Sequence, residues 1–440
     1  MKHTLEQLRA GELAGVRRLS LSCGLREFPA EIFSLADSLE ILDLSGNALS
    51  TLPDALVTLP KLRIVFCSDN QFTALPEVLG RCPALTMIGF KANRIRHVSP
   101  RALPAGLRWL VLTDNAIEAL PEEIGQCTQL QKLMLAGNRL RSLPASLAQC
   151  TRLELLRIAA NQLAALPDCL LGLPRLSWLA FAGNPFCAAL ESAALGEHSI
   201  PDIDWAQLDV DVLLGEGASG QIYRAHCAQP GEGRLAVALK LFKGAVTSDG
   251  LPQCEMAAAI RAGQHPGLIG VLGRVQGHPQ QAQALVMPLI DAAFRNLAGP
   301  PSLDSCTRDI YAEDTRFDLP AALAMAQRIA SAAAHLHARG IMHGDLYAHN
   351  TLHCGQGRAL LGDFGAASFY APDAPVASAL QRMEVRAFGC LLEELLERSR
   401  VAPQEAARLA ALQALAADCL SESPAQRPLF AEIEARLQHG

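Results

Sequence analysis

No Cys-x-x-Cys pair occurs in the 440 residues, although thirteen cysteines are scattered along them. Paired spacing is what a zinc knuckle or a disulfide framework needs, and the odd count leaves one thiol over. The cysteines are therefore expected to be buried free thiols in a reducing cytosol. No uninterrupted apolar stretch is long enough to cross a bilayer, and Met1–Leu13 (MKHTLEQLRAGEL) lacks the apolar run of a signal peptide. No dense basic block is present and the net charge of -6 is mild, so neither nucleic acid nor a membrane is an expected partner. What remains is a soluble, cytoplasmic protein with room for two or three domains.

The first feature present is a repeat. Leu39–Pro53 reads LEILDLSGNALSTLP, and the same frame returns at Leu62, Leu85, Leu107, Leu130 and Leu153, with a last copy, LSWLAFAGNPF, at Leu176. Its asparagines, Asn47, Asn70, Asn93, Asn115, Asn138, Asn161 and Asn184, step by 23 residues with one step of 22. Alternating apolar residues such as Leu42 and Leu44 predict a short strand with those side chains turned to the core. The Asn amide can bond backbone groups where the chain leaves the strand, and the following Leu-Pro turns it onto the outer wall. One unit cannot bury its apolar edge alone, so the copies must stack.

These copies resemble the leucine-rich repeat family over residues 16–186. An earlier copy, VRRLSLSCGLREFP from Val16, is one residue short and has Cys23 where Asn would stand, which suits a terminal repeat; residues 1–15 read as a helical cap. Arrays of this kind bind on the face made by their strands. Its rows here include Phe66, Met87, Trp109, Met134 and Trp178, more apolar than a free surface needs. The expected occupant is a protein, either another chain or this chain's own second half.

After Asn184 the period stops, and residues 187–204 read as a cap and linker. From Trp205 the pattern becomes strand, Gly-rich turn and strand. Gly215-Glu-Gly217-Ala-Ser-Gly220-Gln-Ile222 fits G-x-G-x-x-G-x-V with Ile for Val, and QIYRAHC after it reads as a second strand rather than a helix. That makes a flap whose backbone can approach phosphates closely. Val237-Ala238-Leu239-Lys240 is a strand ending in Lys, and Glu255 lies on the Ala-rich helical run that follows. The stretch HGDLYAHN places Asp345 and Asn350 in a loop, and Asp363-Phe364-Gly365 stands thirteen residues after Asn350. Two Asp and an Asn at these spacings supply hard oxygen ligands for a metal and one carboxylate beside an attacking hydroxyl.

Residues 205–440 thus resemble the eukaryotic-type protein kinase family, all five anchors falling in family order. The implied whole is an α/β leucine-rich repeat solenoid followed by a two-lobed α+β protein-kinase-like domain, and so compact a combination looks bacterial. The resemblance implies ATP and Mg²⁺ as cofactors. It gives Gly215, Gly217, Gly220, Ile222, Ala238 and Lys240 to the nucleotide, Glu255 to Lys240, Asn350 and Asp363 to the metal, and Asp345 to the acceptor hydroxyl. Leu285–Ile290 looks like the adenine hinge, and Arg427-Pro428 like the family's late Arg-Pro segment.

Three departures stand out. Gly344 replaces an Arg that meets an activation-loop phosphate in the family, which argues against that mode of switching. Tyr347 replaces a Lys that helps neutralise the transferred group, with His349 nearby. Only 21 residues separate Asp363 from Glu384, which resembles the start of the family's D-x-W-S-x-G helix with Glu for Asp. This is about fifteen short of an activation loop with its Ala-Pro-Glu anchor, and leaves Arg427 without its usual partner. Ser368, Tyr370 and Ser378 in that short loop are candidate autophosphorylation sites. Three functions follow: an active Ser/Thr protein kinase with a partner-recruiting array, a scaffold with an inactive nucleotide-binding kinase fold, or a small-molecule kinase. The last rests on HGDL, shared with aminoglycoside and choline phosphotransferases.

Overall fold

The computed structural model describes residues 3–196, 200–217, 219–229, 233–243 and 246–439. Parts of the expected segments at residues 1–2, 197–199 and 440, and Ala218 in the glycine-rich turn, lie outside the described residues. The chain divides into two compact units, one ending at Leu176 and the other starting at Ser177.

The first unit begins with a short helix, α1 (Leu5–Arg9), held by a reciprocal cap. The Thr4 hydroxyl accepts from the Gln7 N–H and the Gln7 side chain accepts from the Thr4 N–H. Seven three-residue strands follow: β1 (Arg18–Ser20), β2 (Ile41–Asp43), β3 (Ile64–Phe66), β4 (Met87–Gly89), β5 (Trp109–Val111), β6 (Lys132–Met134) and β7 (Leu155–Arg157). Each pairs in parallel with the next, so Ile41, Ile64, Met87, Trp109, Lys132 and Leu155 fall in one row. Leu42 and Leu44 are fully buried, as the alternation predicts. Most of the outer-wall turns are short 3-10 helices entered through a Pro, among them Pro53, Pro76, Pro121 and Pro144.

The asparagines do more than turn the chain. Asn138 donates to Leu135 O in its own copy and to Leu112 O in the preceding one, both at 2.9 Å, and accepts from Ile117 N at 3.0 Å. Asn47, Asn70, Asn93, Asn115 and Asn161 repeat this backward reach. The residue before each Asn turns left-handed, and at Ala92 and Ala160 no glycine eases it. That conformation costs about 1–2 kcal/mol per residue, which the amide bonds offset.

The second unit opens with β8 (Trp178–Ala180), the strand of the last repeat copy, then α2 (Ala188–Gly196) and β9 (Asp202–Asp204). A mixed sheet follows, built from β10 (Leu208–Glu216), β11 (Gly220–Gln229), β12 (Gly233–Phe242), β13 (Gly273–Gln276) and β14 (Ala284–Pro288) in the order β10-β11-β12-β14-β13-β9. Its core is Ala225, Val237, Leu239, Ala284 and Val286. Helix α3 (Pro252–Ala262) lies between β12 and β13 in sequence. Four further helices dominate the remainder: α4 (Leu319–Ala338), α5 (Ala377–Glu397), α6 (Ala406–Cys419) and α7 (Phe430–His439), with α4 packed on α5 and α7, and α5 on α6. The alanines of α4 give it a thin, largely apolar inner face, buried at Ala326, Ala330 and Ala333 and ending in the buried His337. All thirteen cysteines are free, and all but Cys23, Cys169 and Cys354 are buried. Among the described residues no helix is long and apolar enough to cross a membrane.

Candidate active site

The glycines sit on the hairpin between β10 and β11, where Gly217 N donates to Gly220 O at 2.9 Å. Close approach decides Gly220: a Cβ there would lie 2.3 Å from Leu241 O. Ile222 stands opposite Lys240 in the ladder, and Ala238 opposite Met287. Lys240, on β12, forms a buried ion pair with Glu255 on α3, and its Nζ lies 3.9 Å from Asp363 Oδ1. Burial alone would lower the lysine pKa, but the Glu255 and Asp363 carboxylates outweigh it and raise the value. Ile222, Lys240, Glu255, Leu285, Met287 and Asp363 line one small cavity, which puts part of the expected hinge against the lysine.

The HGDLYAHN loop is held from several sides. Asn350 donates to the Asp345 carboxylate at 2.7 Å and to Asp345 O at 3.0 Å, which fixes the carboxylate and leaves the amide oxygen as acceptor. His343 is fully buried; its Nδ1 accepts from Asp345 N, so Nε2 carries the proton and donates to Gly362 O at 3.0 Å. Gly362 N in turn donates to Asn350 O at 3.1 Å. Asp363 follows with φ of +57°, a strained value for a non-glycine residue, and its side chain is half exposed.

Glu384, on α5, is the anchor below this loop. Its fully buried carboxylate accepts from Gly344 N at 2.7 Å, His343 N at 3.2 Å and His337 Nε2 at 2.8 Å. Burial works to raise its pKa, but the His337 hydrogen bond and the neighbouring charges carry it below the ordinary value. Gly344 has a left-handed φ of +73°, and a Cβ there would lie 2.5 Å from Ala366 O and 2.6 Å from Leu179 O. An Arg has no room at this position.

Several expectations change. Trp178, read as part of an exposed face, is buried within the second unit, its ring stacked on Tyr347 at 4.2 Å. Met87 is buried too, because parallel strands bring Ile64 and Trp109 alongside it, whereas Phe66, Trp109 and Met134 are half-buried. Ser368 and Tyr370 are buried and hydrogen-bonded, so they are not open to a second active site; Ser378 is exposed. The short loop closes directly, Tyr370 N donating to Gly340 O at 2.9 Å. Arg427 binds the backbone carbonyls of Ser421 and Arg382.

Sequence reasoning passed over Asp309. Its buried carboxylate accepts from His349 N at 2.9 Å and pairs with His349 Nδ1 at 2.7 Å. Burial would lower the imidazole pKa, but Asp309, and behind it Asp345 and Asp363, raise it. This imidazole lies beside Tyr347, with the two rings 4.9 Å apart. No motif flags Asp309; it lies forty residues upstream in irregular chain.

Residues 208–386 match the family described as protein tyrosine and serine/threonine kinase, and residues 105–163 and 128–186 match leucine rich repeats, as do 38–59. The chain carries leucine-rich repeats and a protein kinase domain. The CBL-interacting protein kinase 22 of Oryza sativa subsp. japonica is 31% identical over 187 residues, 40% of this chain and 40% of the relative. Cyclin-dependent kinase 11.1 of Caenorhabditis elegans is 27% identical over 160 residues, 36% of this chain and 21% of that protein. The human PH domain leucine-rich repeat-containing protein phosphatase 1 is 31% identical over 90 residues, 20% of this chain and 5% of its own length. The chain spans two-fifths or less of each of these relatives.

The kinase residues fit Mg·ATP. Asp363 and the Asn350 amide offer hard oxygens of the kind that would hold Mg²⁺, with phosphate oxygens and waters as its further ligands.

Proposed function

We propose that the chain is an ATP- and Mg²⁺-dependent protein kinase that phosphorylates a Ser or Thr hydroxyl of a protein recruited through its repeats. The reading rests on one observation: the Lys240–Glu255 pair lies beside Asp363, and Gly362, just before Asp363, is hydrogen-bonded to Asn350 of the Asp345–Asn350 couple. Mg·ATP supplies the phosphoryl group and the charge neutralisation at its oxygens. Lys240, steadied by Glu255, would hold the α- and β-phosphates; Gly215, Gly217 and Gly220 let backbone approach them, with Ile222 and Ala238 flanking the nucleotide. Asn350 and Asp363 would hold the metal. Asp345 orients the acceptor hydroxyl and takes its proton at a carboxylate oxygen whose rotamer Asn350 fixes. His349, whose pKa Asp309 raises, would supply positive charge when protonated on the side where the family carries Lys and this chain has Tyr347.

The kinase relatives support a protein acceptor over a small molecule. The half-buried Phe66, Trp109 and Met134, with Met87 behind them, are the face proposed for the partner. The thirteen free thiols favour a reducing, cytoplasmic setting. Turnover of Mg·ATP by the wild type beside Asp345→Asn and Lys240→Met tests the activity, each change lowering transfer by about 10²–10⁴-fold. Nucleotide binding without transfer to any acceptor would leave the scaffold reading standing instead.

A further inference from the structure

The last repeat strand touches the parts of the kinase domain that carry its chemistry. Trp178 is almost completely buried with its ring parallel to that of Tyr347, 8° between planes, and its Nε1–H donates to Leu346 O at 3.0 Å. Leu346 and Tyr347 directly follow Asp345. One residue along β8, Leu179 O takes the space that a side chain at position 344 would need. Phe181 N and Ala182 N then donate to Ser368 Oγ at 2.9 and 3.1 Å, and that hydroxyl donates onward to Ala366 O. The strand thus grips the loop of Asp345 and the segment after Asp363 together.

The helix that follows makes the third contact. Helix α2 packs against α3, which carries Glu255. Glu191 on α2 accepts from Gly183 N at 2.7 Å and stands beside Cys254, the neighbour of Glu255. Below, Arg386 on α5 donates to Ser177 Oγ at 2.8 Å. The chain between Asp363 and α5 is short and buried at Ser368, Phe369 and Tyr370, so it presents no long loop to order by itself.

We propose that residues 177–196 are a built-in positioning clamp, in which Trp178, stacked on Tyr347, sets the catalytic loop while α2 braces the helix of Glu255. The inference rests on the kinase reading above. Trp178 touches no reacting atom; it acts through Tyr347 and Leu346 and is a positioning residue. Because Asp345 sits in irregular backbone, the flat ring stack and the indole hydrogen bond add to the bonds from Glu384, His343 and Asn350 in fixing its distance from an acceptor. The clamp is part of the chain, so the loop is set without any covalent modification.

The test uses the full chain with Mg·ATP and dephosphorylated casein as the acceptor. A shift of about 1 Å in a catalytic group costs on the order of 100-fold, so Trp178→Ala should lower kcat by about that factor. KM for ATP should stay within about twofold, because the Lys240 side of the cleft is untouched. Trp178→Phe keeps a stacking ring and loses only the indole N–H, and should recover to within about tenfold of wild type. Amide hydrogen exchange over residues 343–350 should quicken in Trp178→Ala while that of the repeats up to Leu170 does not change. If Trp178→Ala fails to fold, Tyr347→Leu removes the stack from the other side and should give the same pattern. Unchanged kcat and unchanged exchange in a folded variant overturn the proposal, as does a loss confined to KM. If the wild type transfers no phosphate, the kinase reading fails, and the exchange comparison alone decides whether Trp178 sets the loop.

Discussion

Glu384 offers the sharpest test of how the catalytic loop is held. Its fully buried carboxylate receives the N–H groups of His343 and Gly344 and the ring of His337. Hydrogen bonds to a charged group contribute roughly 1.5–3 kcal/mol each, but they are not additive. Removing one side of a buried pair costs about 3–5 kcal/mol, so Glu384→Ala should lose about 4 kcal/mol. That is a large part of the ~5–15 kcal/mol that holds a domain folded. Glu384→Gln keeps the volume and one oxygen but turns an NH₂ toward a donor, and should lose about 2 kcal/mol. Urea denaturation in a Trp109→Phe background reads this directly, because the remaining tryptophans, Trp178 and Trp205, both lie in the second unit. The pH dependence adds an independent check. The folded pKa of Glu384 is depressed below 4.5, so its contribution is complete above that value and is lost as pH falls through the folded pKa. The gap between wild type and Glu384→Gln should therefore close in acid. A loss under about 1 kcal/mol for Glu384→Ala at neutral pH would refute the account of the loop's anchor.

Two further outcomes are expected. Asp309→Asn removes the carboxylate that raises the His349 pKa, so the alkaline limb of the kcat profile should move to lower pH; an unmoved limb would remove His349 from the mechanism. The stability from this pair is complete below the ordinary histidine pKa and lost as pH rises through the raised one, so the variant's thermal deficit should be larger near about pH 6 than near about pH 9. On the array, Phe66→Ala with Trp109→Ala should weaken partner capture about 30-fold or more while the repeats stay folded, since aromatic anchors carry about 2 kcal/mol or more each. Equal recovery of the same proteins by both arrays would remove that face from recognition.

The period of the repeat made the first unit readable, because a strand with alternating Leu and a following Asn admits few other folds. The site residues were readable for a different reason: Lys240, Asp345, Asn350 and Asp363 each belong to a short local motif, and Glu255 is the one acid on the helical run that follows Lys240. Trp178 was not, since it shares its row and residue type with Trp109, and only tertiary packing separates a residue stacked on Tyr347 from one on a strand face. Asp309 was silent because its partner lies forty residues away with no pattern between them. Gly344 appeared as a missing Arg, whereas its cause is the approach of two carbonyl oxygens that no sequence spacing reveals.

The backward reach of the repeat asparagines gives the array a direction. Each amide holds a carbonyl of the copy before it as well as one in its own copy. The copy at Val16 follows helix α1 with no earlier repeat between them, so the backward bond has no carbonyl to reach and Cys23 in place of Asn forgoes only the bond within its own copy. The stack therefore behaves like a polymer with distinguishable ends: a whole unit can be added or lost inside it with every amide finding a new neighbour, and the one 22-residue step, from Asn93 to Asn115, is absorbed with Asn115 still donating to Phe90 O at 2.9 Å.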